Sequence, residues 1–453
     1  MQSAIEKDLA GLRLITDPDA LVPYGHDESV APACRPLAVI EATSAEDVQR
    51  ACRWASVHGI RVTPRGAGSG QSGGAVPEEN GIVISLTRMA AITAIDAPNL
   101  IGVVQPGVIT GEYQARTEES GLFYPPDPAS LGYCTLGGNV AENAGGPRAL
   151  KYGVTRDYVI GLEVILMNGE RIRMGRQTVK GVAGYDVTGL MVGSEGTLGI
   201  VTEITTSLVP LPRHVLTALA FFPGTEQAAA AVARIIAAGI VPRTLEYIDA
   251  ASVAAVRPRA EVPIPEAAAA ALIIELDGAR EADLLQEMEV ITAECETLDV
   301  TEVRIAQTER QRRALWSARR MLSPALKETY RFKVAEDAVV PRSRLPEMVA
   351  FFGALGKDLG VDTAAFGHAG DGNLHLNFLF NHAEQRDAVE AGVERLFAET
   401  VRLGGTITGE HGVGLTKRPY LGLEQAPNLI AMQKALKQAL DPLGLLNPSK
   451  IFP

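Results

Sequence analysis

The sequence predicts an α+β chain of two domains, and three observations carry that reading. Its 453 residues are long for a single hydrophobic core. The first half alternates helices with many short strands and glycine-rich turns. Near Pro210–Pro212 the texture changes, and the order of strands and helices beyond suggests an antiparallel sheet with helices on one face. The expected boundaries are 1–211 (core 32–211), 212–420, and a C-terminal helical segment, 421–453, returning to the first domain.

The elements follow in order. In "SAEDVQRACRWASVHG" Ser44 caps a helix, Glu46 and Asp47 sit in its first turn, and Gly59 ends it. Val48, Ala51, Cys52 and Ala55 make its apolar face. Strands are expected in "IRVTP", "GIVISL", "IGVVQPG", "VIGLEVILMNGE" and "LGIVTEITTSLVP", with Asn-Gly turning a hairpin. Beyond the break come "LTALAFF", a helix in "TEQAAAAVARIIAAG", "RTLEYID", "ALIIELDG", a helix in "READLLQEMEVITAE" and "TEVRIA". A last helix, "NLIAMQKALKQAL", precedes "DPLGLLNPSKIF".

Composition excludes several classes. A net charge of −12, with no basic run, disfavours nucleic-acid binding. An anionic substrate would need local positive charge from arginine, lysine or a metal. The N-terminus has acidic residues and no apolar segment, so no signal peptide is expected. No window of about 18 apolar residues exists to span a membrane. Cys34, Cys52, Cys134 and Cys295 lie far apart and match no iron–sulfur spacing, which suggests buried free thiols in a reducing, cytoplasmic setting.

"RVTPRGAGSGQSGGAVP" contains Gly68-x-Gly70-x-x-Gly73, the dinucleotide fingerprint. That motif works only where a helix follows to receive the pyrophosphate. Here the next apolar segment reads as a strand, "IVISL", so a nicotinamide-binding Rossmann fold is rejected. Read afresh, "RGAGSGQSGG" has five glycines in ten residues. Such density lets successive backbone N–H groups turn toward one anion. Further glycine clusters follow in "TLGGNVAENAGG" and "VGSEGTLGI", and "YPPDPAS" between them is a proline-fixed turn suited to bordering a flat ring. Three clusters suggest backbone packed on one extended ligand.

Together these segments, with "GHAGDGNLHLN", "GEHGVG" and "LNPSKIF", resemble the FAD-dependent flavoproteins of the vanillyl-alcohol-oxidase and p-cresol-methylhydroxylase superfamily. Within it the chain is similar to the D-2-hydroxyacid dehydrogenase branch. The resemblance implies a two-part FAD-binding domain, a substrate (cap) domain carrying a metal site, and a helical segment that packs back on the FAD domain. It implies that Pro64, Arg65, Gly66, Ala67, Gly68, Ser69, Gly70, Gln71 and Ser72 surround the FAD pyrophosphate, chiefly through backbone amides. Pro126, Asp127 and Ser130 would line the flavin. Thr135, Gly137, Gly138, Asn139, Asn143, Gly145 and Gly146 would run along the cofactor, as would Glu195, Gly196, Ile200 and Asn447. The first loop has no histidine for covalent attachment, so FAD is expected to be non-covalent.

His368 and His375 are seven residues apart, and in "LHLNFLF" His375 shares a strand face with Asn377. "TITGEHGVG" adds Glu410 and His411 between glycines. Two histidines and a glutamate suit a divalent metal, zinc first, with manganese or iron as competitors. By the resemblance His368, His375 and Glu410 ligate metal, Asn377 contacts substrate and His411 is the base. Oxidising a 2-hydroxy acid moves a hydride from C2 to flavin N5 and a proton from the hydroxyl to a base.

By the same resemblance Arg319 is the carboxylate-binding arginine, and Ser323 stands where hydroxyglutarate-specific members carry threonine. The lysine for a second carboxylate has no clear equivalent, because Lys333 is offset. The expected reaction is therefore oxidation of a small D-2-hydroxy acid, D-lactate first and glycolate second, with D-2-hydroxyglutarate behind. The expected acceptor is not NAD but an electron-transfer flavoprotein, a cytochrome, a quinone pathway or an iron–sulfur subunit. A homodimer is the expected assembly, and a non-catalytic flavin-binding subunit is the competing class.

Overall fold

The computed structural model describes residues 2–453. The chain forms two compact units. The first takes the residues up to Gly146, then Gly153–Leu211 and Glu410–Pro453; the second takes Pro147–Tyr152 and Pro212–Gly409. The chain thus leaves the first unit after Leu211 and returns at Glu410, ahead of residue 421.

In the first unit β1 (Leu14–Ile15), β2 (Ala38–Glu41), β3 (Val62–Arg65) and β4 (Ile82–Ser85) form a sheet of order β1-β2-β4-β3. β4 is parallel to both β2 and β3. Helix α1 (Ala45–His58) starts with a capping box between Ser44 and Asp47 and stops at Gly59, whose φ is +64°. Its Val48, Ala51, Cys52 and Ala55 pack with Ile40, Val62 and Ile84 in one apolar cluster. The glycine loop therefore leaves the C-terminal end of a buried parallel strand and runs on to another strand, β4, with no helix between. That is the reason the dinucleotide fingerprint fails here.

A second sheet has the order β5-β6-β9-β7-β8, where β5 is Ile92–Asp96, β6 Ile101–Val104, β7 Val159–Ile165, β8 Arg171–Gly175 and β9 Ile200–Ser207. Asn168 and Gly169 turn the β7–β8 hairpin, with Gly169 at φ +78°. Helix α2 (Leu136–Glu142) lies between β6 and β7 in the chain, capped by Thr135 and ended by Asn143 at φ +54°.

The second unit holds a seven-stranded antiparallel sheet of order β13-β10-β12-β11-β15-β16-β14. Its strands are β10 (His214–Phe222), β11 (Thr244–Ile248), β12 (Ala270–Gly278), β13 (Glu302–Ile305), β14 (Phe332–Val339), β15 (Asp362–Gly367) and β16 (Asn373–Phe380). Successive residues of β10 and β12 are buried alike, so both faces of this sheet are covered. On one face α3 (Glu309–Thr329) packs Leu315, Ala318 and Leu322 against Leu219, Phe221 and Phe366. Among the described residues no helix is long and apolar enough to cross a membrane. All four cysteines are free, and Cys34 is only half-buried.

Candidate active site

The three glycine clusters line one cavity of about 240 Å³ within the first unit. The first loop supplies Pro64 to Gln71, the second Thr135, Gly137, Gly138 and Asn139, the third Glu195, Gly196 and Ile200, with Ser130 from the proline turn. Among the described residues no hydrogen bond uses the amide N–H of residues 66–71. A run of such amides beside a cavity is what an anionic diphosphate requires. The backbone comes this close because side chains are missing: a Cβ on Gly66 would collide with Thr135 Oγ1, and one on Gly196 would stand 2.7 Å from Pro64 Cγ. Arg65 turns its guanidinium behind the loop, donating to Pro23 O at 3.1 Å and Ala75 O at 3.3 Å.

Other expected cofactor residues stand behind the cavity wall. Ser72 O accepts the amides of Leu415 and Thr416. Pro126 O accepts from Gln114 Nε2 at 2.7 Å, and Gly146 packs against the backbone of Asp127. Asn143 Oδ1 accepts Arg156 N–H, and Gly145 faces Glu410. Asn447, at φ +41°, donates its amide to Gly74 O and Glu195 O, stitching the C-terminal tail to the first and third clusters. The cavity also takes Tyr133 and Glu142, which sequence reasoning missed.

Glu410 and His411 line this same cavity, His411 Nε2 standing 3.8 Å from Glu410 Oε1. Adjacent residues in extended backbone diverge, and here Gly412 (φ +78°) and Gly414 (φ +50°) bend the chain instead. Glu195 anchors the bend: its Oε1 accepts Val413 N–H at 2.8 Å and its Oε2 Gly414 N–H at 2.7 Å. Glu195 itself takes a left-handed φ of +51°.

In the second unit β16 carries His375 and Asn377, and His368 follows β15. The two imidazoles lie edge to face, 5.2 Å between centroids. His368 Nδ1 meets Glu246 Oε1 at 2.5 Å, and Glu246 Oε2 accepts Arg319 Nε at 2.7 Å. Burial pushes Glu246 up, but His368 and Arg319 outweigh it and hold the carboxyl down to about 2. The Arg319 guanidinium covers the Phe366 ring at 4.9 Å. Asn377 donates to Ala364 O and His375 O, while its buried Oδ1 has no partner among the described residues.

Two residues here escaped the sequence, and a third had been set aside. Glu246 is the one charge in "TLEYI", a fully buried strand, and that mismatch was its only signal. Asp337 pairs with His375 in the β14–β16 register and accepts Asn373 Nδ2, Thr408 Oγ1 and Gly409 N–H. Lys333, set aside as offset, donates to Ser323 Oγ at 2.9 Å. Strand alternation puts Lys333, Ala335 and Asp337 on the face of His375 and Asn377, a placement that counting along the chain does not reveal. Burial, then the charge of Lys327, pushes the Lys333 ammonium down to about 8.

Residues 36–175 match the FAD binding domain, and residues 211–451 match the FAD linked oxidases, C-terminal domain. The chain is 44% identical over 431 residues to glycolate oxidase subunit GlcD of Bacillus subtilis (strain 168), covering 95% of this chain and 92% of that one. It is 34% identical to D-lactate dehydrogenase of Anaerostipes hadrus, covering 98% and 96%. It is also 34% identical to D-2-hydroxyglutarate dehydrogenase of Stutzerimonas stutzeri (strain A1501), covering 97% and 96%. Among solved structures, p-cresol methylhydroxylase with substrate bound shares the fold at TM-score 0.79 and 17% identity, covering 100% of this chain and 97% of that one. The 4-ethylphenol oxidase of Gulosibacter chungangensis does so at 0.78 and 20%, with the same coverage. The chain belongs to the FAD-linked oxidases, as an FAD-linked oxidoreductase of the branch that holds glycolate oxidase subunits, D-lactate dehydrogenases and D-2-hydroxyglutarate dehydrogenases.

Proposed function

We propose that this protein oxidises the hydroxyl of a small D-2-hydroxy acid to the 2-oxo acid, D-lactate first and glycolate second, and passes the electrons to an acceptor other than NAD. The observation that supports it most is a cationic patch on the sheet face of His375 and Asn377. There Arg319 lies over Phe366 and Lys333 is held by Ser323. A carboxylate needs such a partner in a chain of net charge −12.

The amides of residues 66–71 would hold the FAD diphosphate, and no histidine stands in that loop to attach the ring covalently. When bound, FAD supplies the two-electron acceptor. His368, His375 and Glu410 would hold a divalent metal, zinc first. The donor set fits, because Glu246 takes His368 Nδ1 and so presents Nε2 as the ligand atom, the usual support of a metal-bound imidazole. Glu410 follows Gly409, whose N–H Asp337 holds. When bound, the metal supplies positive charge that makes a substrate hydroxyl more acidic.

The chain's own residues do the rest. Arg319 keeps its Nε on Glu246 and offers its Nη groups to the substrate carboxylate. Asn377, buried beside His375, takes the substrate-contact role that the family resemblance implies. An imidazole nitrogen of His411 takes the hydroxyl proton. A second reading, D-2-hydroxyglutarate, is favoured by Lys333, a second cation on the sheet face of Asn377.

An anaerobic panel of D- and L-2-hydroxy acids mixed with purified protein tests both readings through bleaching of the flavin absorbance. D-lactate or glycolate should bleach it and the L-acids should not. Bleaching by D-2-hydroxyglutarate alone selects the second reading, and no bleaching by any 2-hydroxy acid removes both.

A further inference from the structure

Strand β12 is buried almost throughout, yet it carries two acids, Glu275 and Asp277. Glu275 pairs with Thr244 in the β11–β12 register, so alternation sets it on the sheet face of Glu246. Both of its oxygens are engaged. Oε2 accepts Thr217 Oγ1 at 2.7 Å and the indole N–H of Trp316 at 3.1 Å, and Oε1 lies 3.4 Å from Arg243 Nε. Arg243 Nη1 stands 3.4 Å from Asp277 Oδ2. Asp277 in turn accepts Lys151 Nζ at 2.5 Å and the Tyr152 hydroxyl at 2.7 Å, both from the segment Pro147–Tyr152 of the same unit. The Glu275 carboxylate is thus fixed by its own sheet before Trp316 reaches it.

Trp316 lies on α3, one turn before Arg319. The apolar contacts of this helix, through Leu315, Ala318 and Leu322, have no direction and would tolerate a slide along the sheet. A slide of one residue moves Arg319 by about 1.5 Å, enough to take a guanidinium out of hydrogen-bond reach of a carboxylate. Directional contacts stop it, from Arg319 to Glu246 and from Trp316 to Glu275. An indole N–H can only donate, so a fixed acceptor decides where Trp316 sits. Apolar residues in place of buried charges often leave a fold as stable or more so, and what Glu275 adds here is position.

We propose that Glu275 is a positioning residue for the substrate: through the indole N–H of Trp316 it sets the register of α3 and so aims Arg319 at the substrate carboxylate. The proposal rests on the reading of Arg319 as the partner of that carboxylate. Glu246 orients the guanidinium itself, and Glu275 places the turn of helix that carries it. The effect belongs to substrate affinity and leaves hydride and proton transfer alone.

The test compares wild type, Trp316→Phe and Glu275→Gln as purified holoproteins, using the 2-hydroxy acid that bleaches the flavin fastest and its methyl ester. Phe keeps an aromatic ring and removes the N–H. KM for the acid should rise about three- to tenfold, within the span of one hydrogen bond, while kcat stays within about twofold. The ester offers Arg319 no carboxylate, so its KM, or its inhibition constant if it is not oxidised, should hold. Gln keeps an oxygen for Trp316 and Thr217, so KM for the acid should stay within about twofold of wild type. Glu275→Leu removes that acceptor, should reproduce the Trp316→Phe pattern, and serves where the latter does not fold. An unchanged KM for the acid in Trp316→Phe, an equal rise for acid and ester, or a fall in kcat alone would each overturn the proposal. So would a larger rise in Glu275→Gln than in Trp316→Phe. An unchanged KM for the acid in Arg319→Ala would instead remove the carboxylate reading beneath it.

Discussion

The first unit builds its site from backbone, and the second builds its site from charged side chains. Around the cavity the loops come close because Gly66, Gly68 and Gly196 lack a Cβ, and the working groups are amides. Beneath His368 the working groups are Glu246, Arg319, Asp337 and Lys333, each fixed by another side chain or by a sheet register. A backbone site can hold a large cofactor shared by many reactions. A side-chain site can be changed one residue at a time, which suits it to the substrate choice we propose for it. His411 is the exception, a side chain on the backbone-built cavity to which we assign the proton transfer.

The largest expected effect tests that exception. His411→Ala should slow flavin reduction by about 10² to 10⁴-fold, the usual worth of a positioned base, while FAD content stays normal. Stopped-flow reduction with the preferred hydroxy acid measures it, and an unimpaired rate removes His411 from the mechanism. Glu410→Ala should lose metal and rate together; equal metal loss in both variants would make His411 a ligand.

Next is Glu246→Gln, which breaks the side-chain site without touching the cavity. Metal affinity should fall about 10- to 100-fold, as for other carboxylates behind a liganding imidazole, with FAD affinity unchanged. Metal titration of chelator-stripped protein checks this, and unchanged affinity would leave Glu246 no role in the metal site.

Gly66→Ala should do the reverse. Its Cβ meets Thr135 Oγ1, and the overpacking should cost about 1–2 kcal/mol of FAD affinity while metal affinity holds. FAD titration of the apoprotein decides it. If both affinities fall in either variant, the two sites are coupled and the contrast between them is wrong.

The smallest effect is a pH dependence. Lys333 is a cation below about 8 and neutral above it. KM for the hydroxy acid should therefore rise severalfold as pH passes from 7 to about 9, and Lys333→Met should flatten that rise. The folded value lies below the ordinary 10.5, so folding penalises the protonated amine. That penalty is full below about 8 and relieved toward 10.5, so the free protein should gain stability across this window. A KM independent of pH in wild type would take Lys333 out of substrate binding.

Much of this was legible in the chain. Periodicity gave α1 its buried face and β16 its alternation, and glycine density marked the three loops. These are local signals: spacing decides which face a residue occupies, and a missing Cβ decides where backbone can approach. The motif "GEHG" named both residues that line the cavity beside the loops.

What the sequence by itself determined was the class of chemistry, through the glycine, histidine and glutamate segments that carry its resemblance to the FAD-dependent hydroxyacid dehydrogenases. What only the tertiary structure decided was which distant residues complete each group. Asn447 was expected at the cofactor, yet it ties Gly74 to Glu195 across the loops. Lys333 looked offset until strand pairing set it on the face of His375 and beside Ser323. Glu246 reached His368 across 122 residues of chain. Register and burial are properties of pairs of segments, and a buried carboxyl takes its meaning from the partner that neutralises it. No local pattern specifies that partner, because the energy that selects it exists only once the two segments have met.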